Sequence, residues 1–156
     1  PQKPYIVFVT GSTWKSRNYP IEKFKQIAQA IKKSCIVIWG DEKEKEKAEW
    51  MSSESNYIQV MPKLSLDDLK HVIDHASLLI GNDTGPSHMS WALNIPSIIL
   101  FGPTPIERAF QTPINTVLSS NSKINHYKLD KNDFSITEIK VSDIVKIAKE
   151  LLGVSL

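Results

Sequence analysis

The chain is short of the features that mark several functional classes. One cysteine, Cys35, stands among 156 residues, so no internal disulfide framework can form and a reducing compartment is expected. Charge of one sign is scarce. Nineteen Lys and Arg against seventeen Asp and Glu leave a formal +2, with no arginine-rich patch, which argues against a nucleic-acid partner. No apolar run approaches the roughly 18 residues a membrane span needs, and no signal peptide is visible. The first apolar run is not followed by G-x-G-x-x-G, which argues against a nicotinamide or flavin dehydrogenase. A G-x-x-x-x-G-K-[ST] phosphate loop is missing, as is the G-x-S-x-G of common serine hydrolases.

What remains is ordinary for a globular protein: 41% apolar and 23% charged residues. That length suits one domain, burying roughly two thirds of its extended-chain surface. The chain opens on Pro1 rather than Met, so a piece of something longer is the expectation.

Strand and helix patterns alternate. Tyr5–Val9, Cys35–Trp39, Ser97–Phe101 and the run starting at Leu78 are continuous apolar segments, as in strands buried on both faces. Shorter strands are expected over Asn56–Met61 and Asn115–Leu118. Between them lie helical stripes: Ile21, Phe24, Ile27, Ala28 and Ile31 behind Pro20, and Leu66, Leu69, Val72, Ile73 and Ala76 behind a natural N-cap at Ser65. A charged helix is expected from Asp41 through Met51, and a closing amphipathic helix from Val141 to Leu152, stopped by Gly153. Strands alternating with helices predict α/β: a Rossmann-like parallel sheet with helices on both faces, as one domain over residues 1–156. Residues 120–140 read as polar and irregular, with His126 a surface histidine.

The chemistry concentrates in Leu78–Thr104, LLIGNDTGPSHMSWALNIPSIILFGPT. The apolar run stops at Gly81, and a helix starts near Gly85 or Pro86. Its first N–H groups and positive dipole end favour an anion. Gly85 admits a ligand close to the backbone, Thr84 offers a hydroxyl, and His88 faces the same opening one turn on. The competing reading is plain helix capping by Asp83 or Thr84. A second candidate loop follows the first strand, where Gly11, Ser12, Thr13, Lys15, Ser16 and Arg17 gather, and strand carboxyl ends bind ligands in doubly wound sheets. Acidic residues just after the second strand, Glu42 and Glu44, suit a ribose diol. His71 and His75 have metal-compatible spacing but lack a third ligand nearby, so no metal site is expected.

D-T-G-P-S-H followed by L-F-G-P-T resembles the heptosyltransferases of lipopolysaccharide core assembly, glycosyltransferase family 9, most of all heptosyltransferase I. The resemblance covers nearly the whole chain, strongest over 78–104. It implies one half of a two-domain GT-B enzyme, the carboxyl-terminal domain that binds the nucleotide-sugar donor. It further implies that Ser12, Thr13 and Arg17 meet the donor, with Lys15 a possible stand-in for the cation. Glu44, or alternatively Glu42, would hold the ribose; Lys63 and Leu64 would meet the base. Asp83 would hold sugar hydroxyls, and His88 would support either the phosphate or the Asp83 turn. The donor implied is ADP-heptose, without a cofactor or required metal. The acceptor would be the Kdo of lipid A, at the cytoplasmic face of the bacterial inner membrane with peripheral membrane association. Its base would be an aspartate of an amino-terminal domain absent from this chain. Two rivals stand beside this: heptosyltransferase II or another family 9 enzyme, and a non-enzymatic nucleotide-sugar binding module.

Overall fold

The computed structural model describes residues 4–12, 15–102, 111–120 and 134–154. Six strands form one sheet: β1 (Ile6–Val9), β2 (Cys35–Ile38), β3 (Ile58–Val60), β4 (Leu78–Asn82), β5 (Ser97–Phe101) and β6 (Asn115–Ser119). Their order is β3-β2-β1-β4-β5-β6, and every pairing is parallel. Helices α1 (Ile21–Ile31), α2 (Glu42–Ser52), α3 (Leu66–Asp74), α4 (Gly85–Ala92) and α5 (Val141–Leu152) fill the connections.

The period-two geometry of a strand sorts the core into two layers. Ile6 and Phe8 of β1 face a cluster with Phe24 and Ile27 of α1, Ala48 and Met51 of α2, and Ile144 and Ala148 of α5. Val7 and Val9 face the opposite cluster, with Val72 and Ile73 of α3 and, at its edge, Met89 and Trp91 of α4. All four β1 residues are therefore buried, which is why the strand reads as an uninterrupted apolar run. Ser65 accepts the expected capping bond from the Asp68 N–H at 3.1 Å, and Gly153 closes α5 in the left-handed region at φ 68°.

Several elements differ from expectation; β3, for one, is Ile58–Val60 rather than Asn56–Met61. β4 runs two residues beyond the apolar stretch, through Gly81 and Asn82, because the fully buried Asn82 amide is satisfied by backbone partners. β2 stops at Ile38, which frees Trp39 to turn out of the sheet. Within the stretch read as irregular, Ser135–Glu138 form a 3₁₀ turn that buries Ile136, and Ile139 is buried after it. Two isoleucines among polar residues were too sparse to show a period. Thr13, Pro103, Thr104 and His126 lie outside the described residues.

This strand order creates a switch point. The chain leaves β1 toward β2 on one side and returns from β3 to β4 on the other. The loops after β1 and β4 therefore diverge, and a crevice opens between them at the carboxyl ends.

Candidate functional site

A cavity of about 450 Å³ occupies that crevice. Six residues singled out from the sequence line it: Ser12 after β1, Glu44 on α2, Lys63 and Leu64 after β3, and Thr84 and Gly85 at the start of α4. Lys15 and Arg17 sit together on a 3₁₀ turn of the β1 loop, and neither forms part of the cavity wall. Glu42, Asp83 and His88 also lie off the wall, although Asp83 directly precedes Thr84.

The floor is set by Asn82. Its amide nitrogen donates to the Thr10 carbonyl at 2.8 Å, and its carbonyl accepts from the Tyr19 N–H at 3.0 Å. One buried side chain thus clamps both ends of the β1 loop to the end of β4. Ser87 adds a bond from its hydroxyl to the Asn82 backbone carbonyl at 2.5 Å, tying α4 to the same residue. From the sequence the apolar run stops at Gly81, which leaves Asn82 outside the strand. Its only signal was a polar residue directly against a run otherwise buried.

Beyond Asn82 the chain turns into α4, with Thr84 in extended conformation as N-cap and Pro86 in the first turn. The Thr84 side chain makes no capping bond. Its hydroxyl oxygen is buried without a hydrogen-bond partner among the described residues. A buried hydroxyl left this way costs about 1–3 kcal/mol, so capping does not account for the residue. Asp83 does not cap either: its carboxylate pairs with the His88 Nε2 at 2.6 Å. The α4 amino end therefore keeps its uncapped N–H groups and partial positive charge beside the cavity. A Cβ built on Gly85 would meet none of the described residues within 4 Å, so among them the space over this helix tip is open.

Across the cavity, Asp41 caps α2 by accepting from the Glu44 N–H at 2.9 Å. The Glu44 carboxylate folds back and accepts from the Gly40 N–H at 2.6 Å. It also lies against Gly11, where a Cβ would stand 1.9 Å from its Oε1. The absence of a side chain at Gly11 gives the carboxylate that place. Glu42, two residues earlier, is exposed at the helix start.

Trp39 is the largest side chain among the wall residues that sequence reasoning missed. Its indole N–H donates to the Met61 carbonyl at 2.7 Å, and the Lys45 ammonium lies 5.4 Å from its ring centroid. The bond anchors the segment that carries Lys63 and Leu64. Leu64 and Leu69 make this end of the cavity apolar, suited to a planar base, while the Thr84–Gly85 end is polar. Among the described residues no group of three or more His, Cys, Asp and Glu side chains is placed to hold a metal. The His71 and His75 rings meet at a tilt of 37° with centroids 4.2 Å apart, and His75 Nδ1 lies 2.8 Å from the His71 carbonyl. No helix among the described residues is long and apolar enough to cross a membrane.

Comparison with known proteins matches residues 1–137 to glycosyltransferase family 9 (heptosyltransferase). Lipopolysaccharide heptosyltransferase 1 of Campylobacter coli is 40% identical over 162 residues, covering 97% of this chain and 47% of that protein. The chain thus spans about half the length of this relative. Among solved structures, E. coli heptosyltransferase WaaC with ADP superposes with a TM-score of 0.80 at 22% identity, over 94% of this chain and 44% of that one. The same enzyme with ADP-2-deoxy-2-fluoro heptose gives 0.77 at 23% identity, over 94% and 42%. At these identities the structural likeness speaks for the fold.

Proposed function

The chain belongs to glycosyltransferase family 9, and on that premise we propose that it is the donor-binding half of a heptosyltransferase. The donor is ADP-heptose, which the cavity takes with its base toward Leu64 and its diphosphate on the α4 tip. The observation that carries this reading is the buried Thr84 hydroxyl, without a partner among the described residues, next to an uncapped helix start and a Gly85 that meets none of them. All three are satisfied by one anionic ligand. Glu44, held by Gly40 opposite, supplies the acceptors for a ribose diol between base and diphosphate.

Transfer breaks the bond between the anomeric carbon and the β-phosphate oxygen, and the electron pair leaves with ADP. Negative charge grows on the diphosphate as the bond breaks. The α4 tip and the Thr84 hydroxyl are fixed before the reaction, so they stabilise that growing charge without reorganising. Arg17 or Lys15 adds a cation from the β1 loop. Asp83, its carboxylate oriented by His88, holds hydroxyls of the sugar. The incoming nucleophile is a hydroxyl of Kdo on lipid A, and its proton goes to an aspartate of an amino-terminal domain. The reaction takes place at the cytoplasmic face of the inner membrane, the whole enzyme associating with it peripherally. This chain alone binds donor and transfers little or nothing.

Calorimetry tests the reading. ADP binds to the chain, UDP binds more weakly, and EDTA leaves ADP binding unchanged. Equal affinity for ADP and UDP would refute the base assignment. A non-enzymatic module remains the rival, separated by assaying heptose transfer with the full-length protein.

A further inference from the structure

His88 is held from two sides. Its Nε2 meets the Asp83 carboxylate at 2.6 Å, and its ring lies flat on the Trp91 indole, centroids 4.5 Å apart and planes 12° from parallel. Trp91 comes one turn later on α4 and packs at the edge of the core layer formed by Val72, Ile73 and Phe101. His88 itself is exposed, on a short helix beside open space. Without a neighbour on its face, an exposed imidazole samples several rotamers, and only some bring Nε2 to Asp83. A core-anchored indole removes that freedom at little entropic cost, having only two side-chain torsions of its own. The stack fixes the plane of the ring, and the carboxylate fixes its edge.

We propose that Trp91 is a positioning residue for donor binding: it acts through His88, whose imidazole it holds in the plane that pairs Nε2 with Asp83 and so orients Asp83 toward the sugar. The inference rests on the donor site proposed above. Trp91 touches neither base nor phosphate. Its contribution is to leave less of His88 to be ordered when donor arrives.

The test is a mutant cycle read by calorimetry with ADP and with ADP-heptose. Trp91→Leu keeps an apolar anchor but loses the flat face, and weakens ADP-heptose binding by about 2- to 10-fold, the range of aromatic pair contributions. Trp91→Phe restores a flat ring and recovers affinity to within about twofold of the parent, a smaller aromatic still supporting a stack. In a His88→Ala background Trp91→Leu has no further effect, because the residue it acts through is gone. Nuclear magnetic resonance supplies the second readout: ring-current displacement of the His88 carbon-bound protons is present in the parent and lost in Trp91→Leu. If the parent binds no ADP, the donor site itself is wrong. If ADP-heptose binds but Trp91→Leu is neutral, or costs as much without His88 as with it, the site stands and the role of Trp91 falls.

Discussion

The two ends of the sheet carry hollows of similar size and opposite chemistry. At the carboxyl edge lies the cavity of about 450 Å³ bounded by Thr84, Gly85 and Glu44. At the amino edge another, of about 390 Å³, is bounded by Tyr5, Ile6, Lys33 and the end of α5. Volume does not tell them apart; the direction of the helices does. Each strand hands over to a helix at its carboxyl end, so helix starts converge there and helix ends converge at the opposite edge. α1 and α5 both finish at the amino edge in left-handed caps, Lys32 and Gly153, with carbonyls that repel an anion. The Thr84 hydroxyl, buried and without a partner among the described residues, lies at the carboxyl edge. A site is thus recognised by the polar groups the fold leaves unanswered rather than by the space it leaves empty.

The sharpest break in this comparison comes from Asp83. Asp83→Ala in the full-length protein is expected to lower transfer by about 100-fold or more, by analogy with removing a charged group that acts on the transition state, while circular dichroism shows the fold intact. Lys33→Ala, at the amino edge, leaves transfer unchanged. Retained transfer in Asp83→Ala would reduce that residue to a partner for His88.

Next in size is Glu44. Glu44→Ala weakens ADP binding by about 10-fold or more, the loss expected for hydrogen bonds to a charged group, whereas Glu42→Ala does not change it. The same affinity for 2′,3′-dideoxy-ADP and ADP would disprove the ribose role.

Thr84→Val separates function from stability. Removing a buried hydroxyl that lacks a partner leaves thermal stability equal or raised by about 1 kcal/mol, yet ADP affinity falls by several-fold. A drop in melting temperature together with full affinity would show that Thr84 serves the fold.

The smallest effect lies away from both hollows, at Tyr19. Burial first, then the Asp143 carboxylate, pushes its phenol from 10.0 up to about 12, and its hydroxyl donates to the Ile139 carbonyl at 2.5 Å. The folded state holds the proton more tightly than the unfolded chain. Its contribution is therefore complete below pH 10 and declines as pH rises from 10 to 12. Cys35, whose thiol burial raises from 9.0 to about 12, adds a decline beginning one unit lower. Tyr19→Phe should cost about 1 kcal/mol near neutral pH and flatten the part of the alkaline decline above pH 10. Denaturant melts at pH 8, 10 and 11 measure both.

Much of the fold was legible because its signals are local and repeated. Apolar runs of four or five residues, stripes at helical spacing, Ser65 and Gly153 each announce themselves within one turn or strand. The site was legible in part. Residues directly after a strand, such as Ser12, Thr84 and Gly85, could be placed because the carboxyl edge follows from the alternation of elements. Asn82 and Trp39 were not, since each acts through a bond to a backbone carbonyl, at Thr10 and Met61, that no sequence period encodes. Glu42 and Glu44 differ only in which way they point from α2.

Sequence alone determined the architecture, the sheet edge at which α4 starts, and the positive dipole end that this helix turns toward that edge. These follow from side-chain period and helix polarity, which are properties of short segments. Tertiary structure decided which carboxylate meets Gly11, that Thr84 has no hydroxyl partner among the described residues, and that Trp91 lies flat on His88. Those outcomes depend on the relative placement of separate elements and on side-chain rotamers, and packing, not local pattern, sets both.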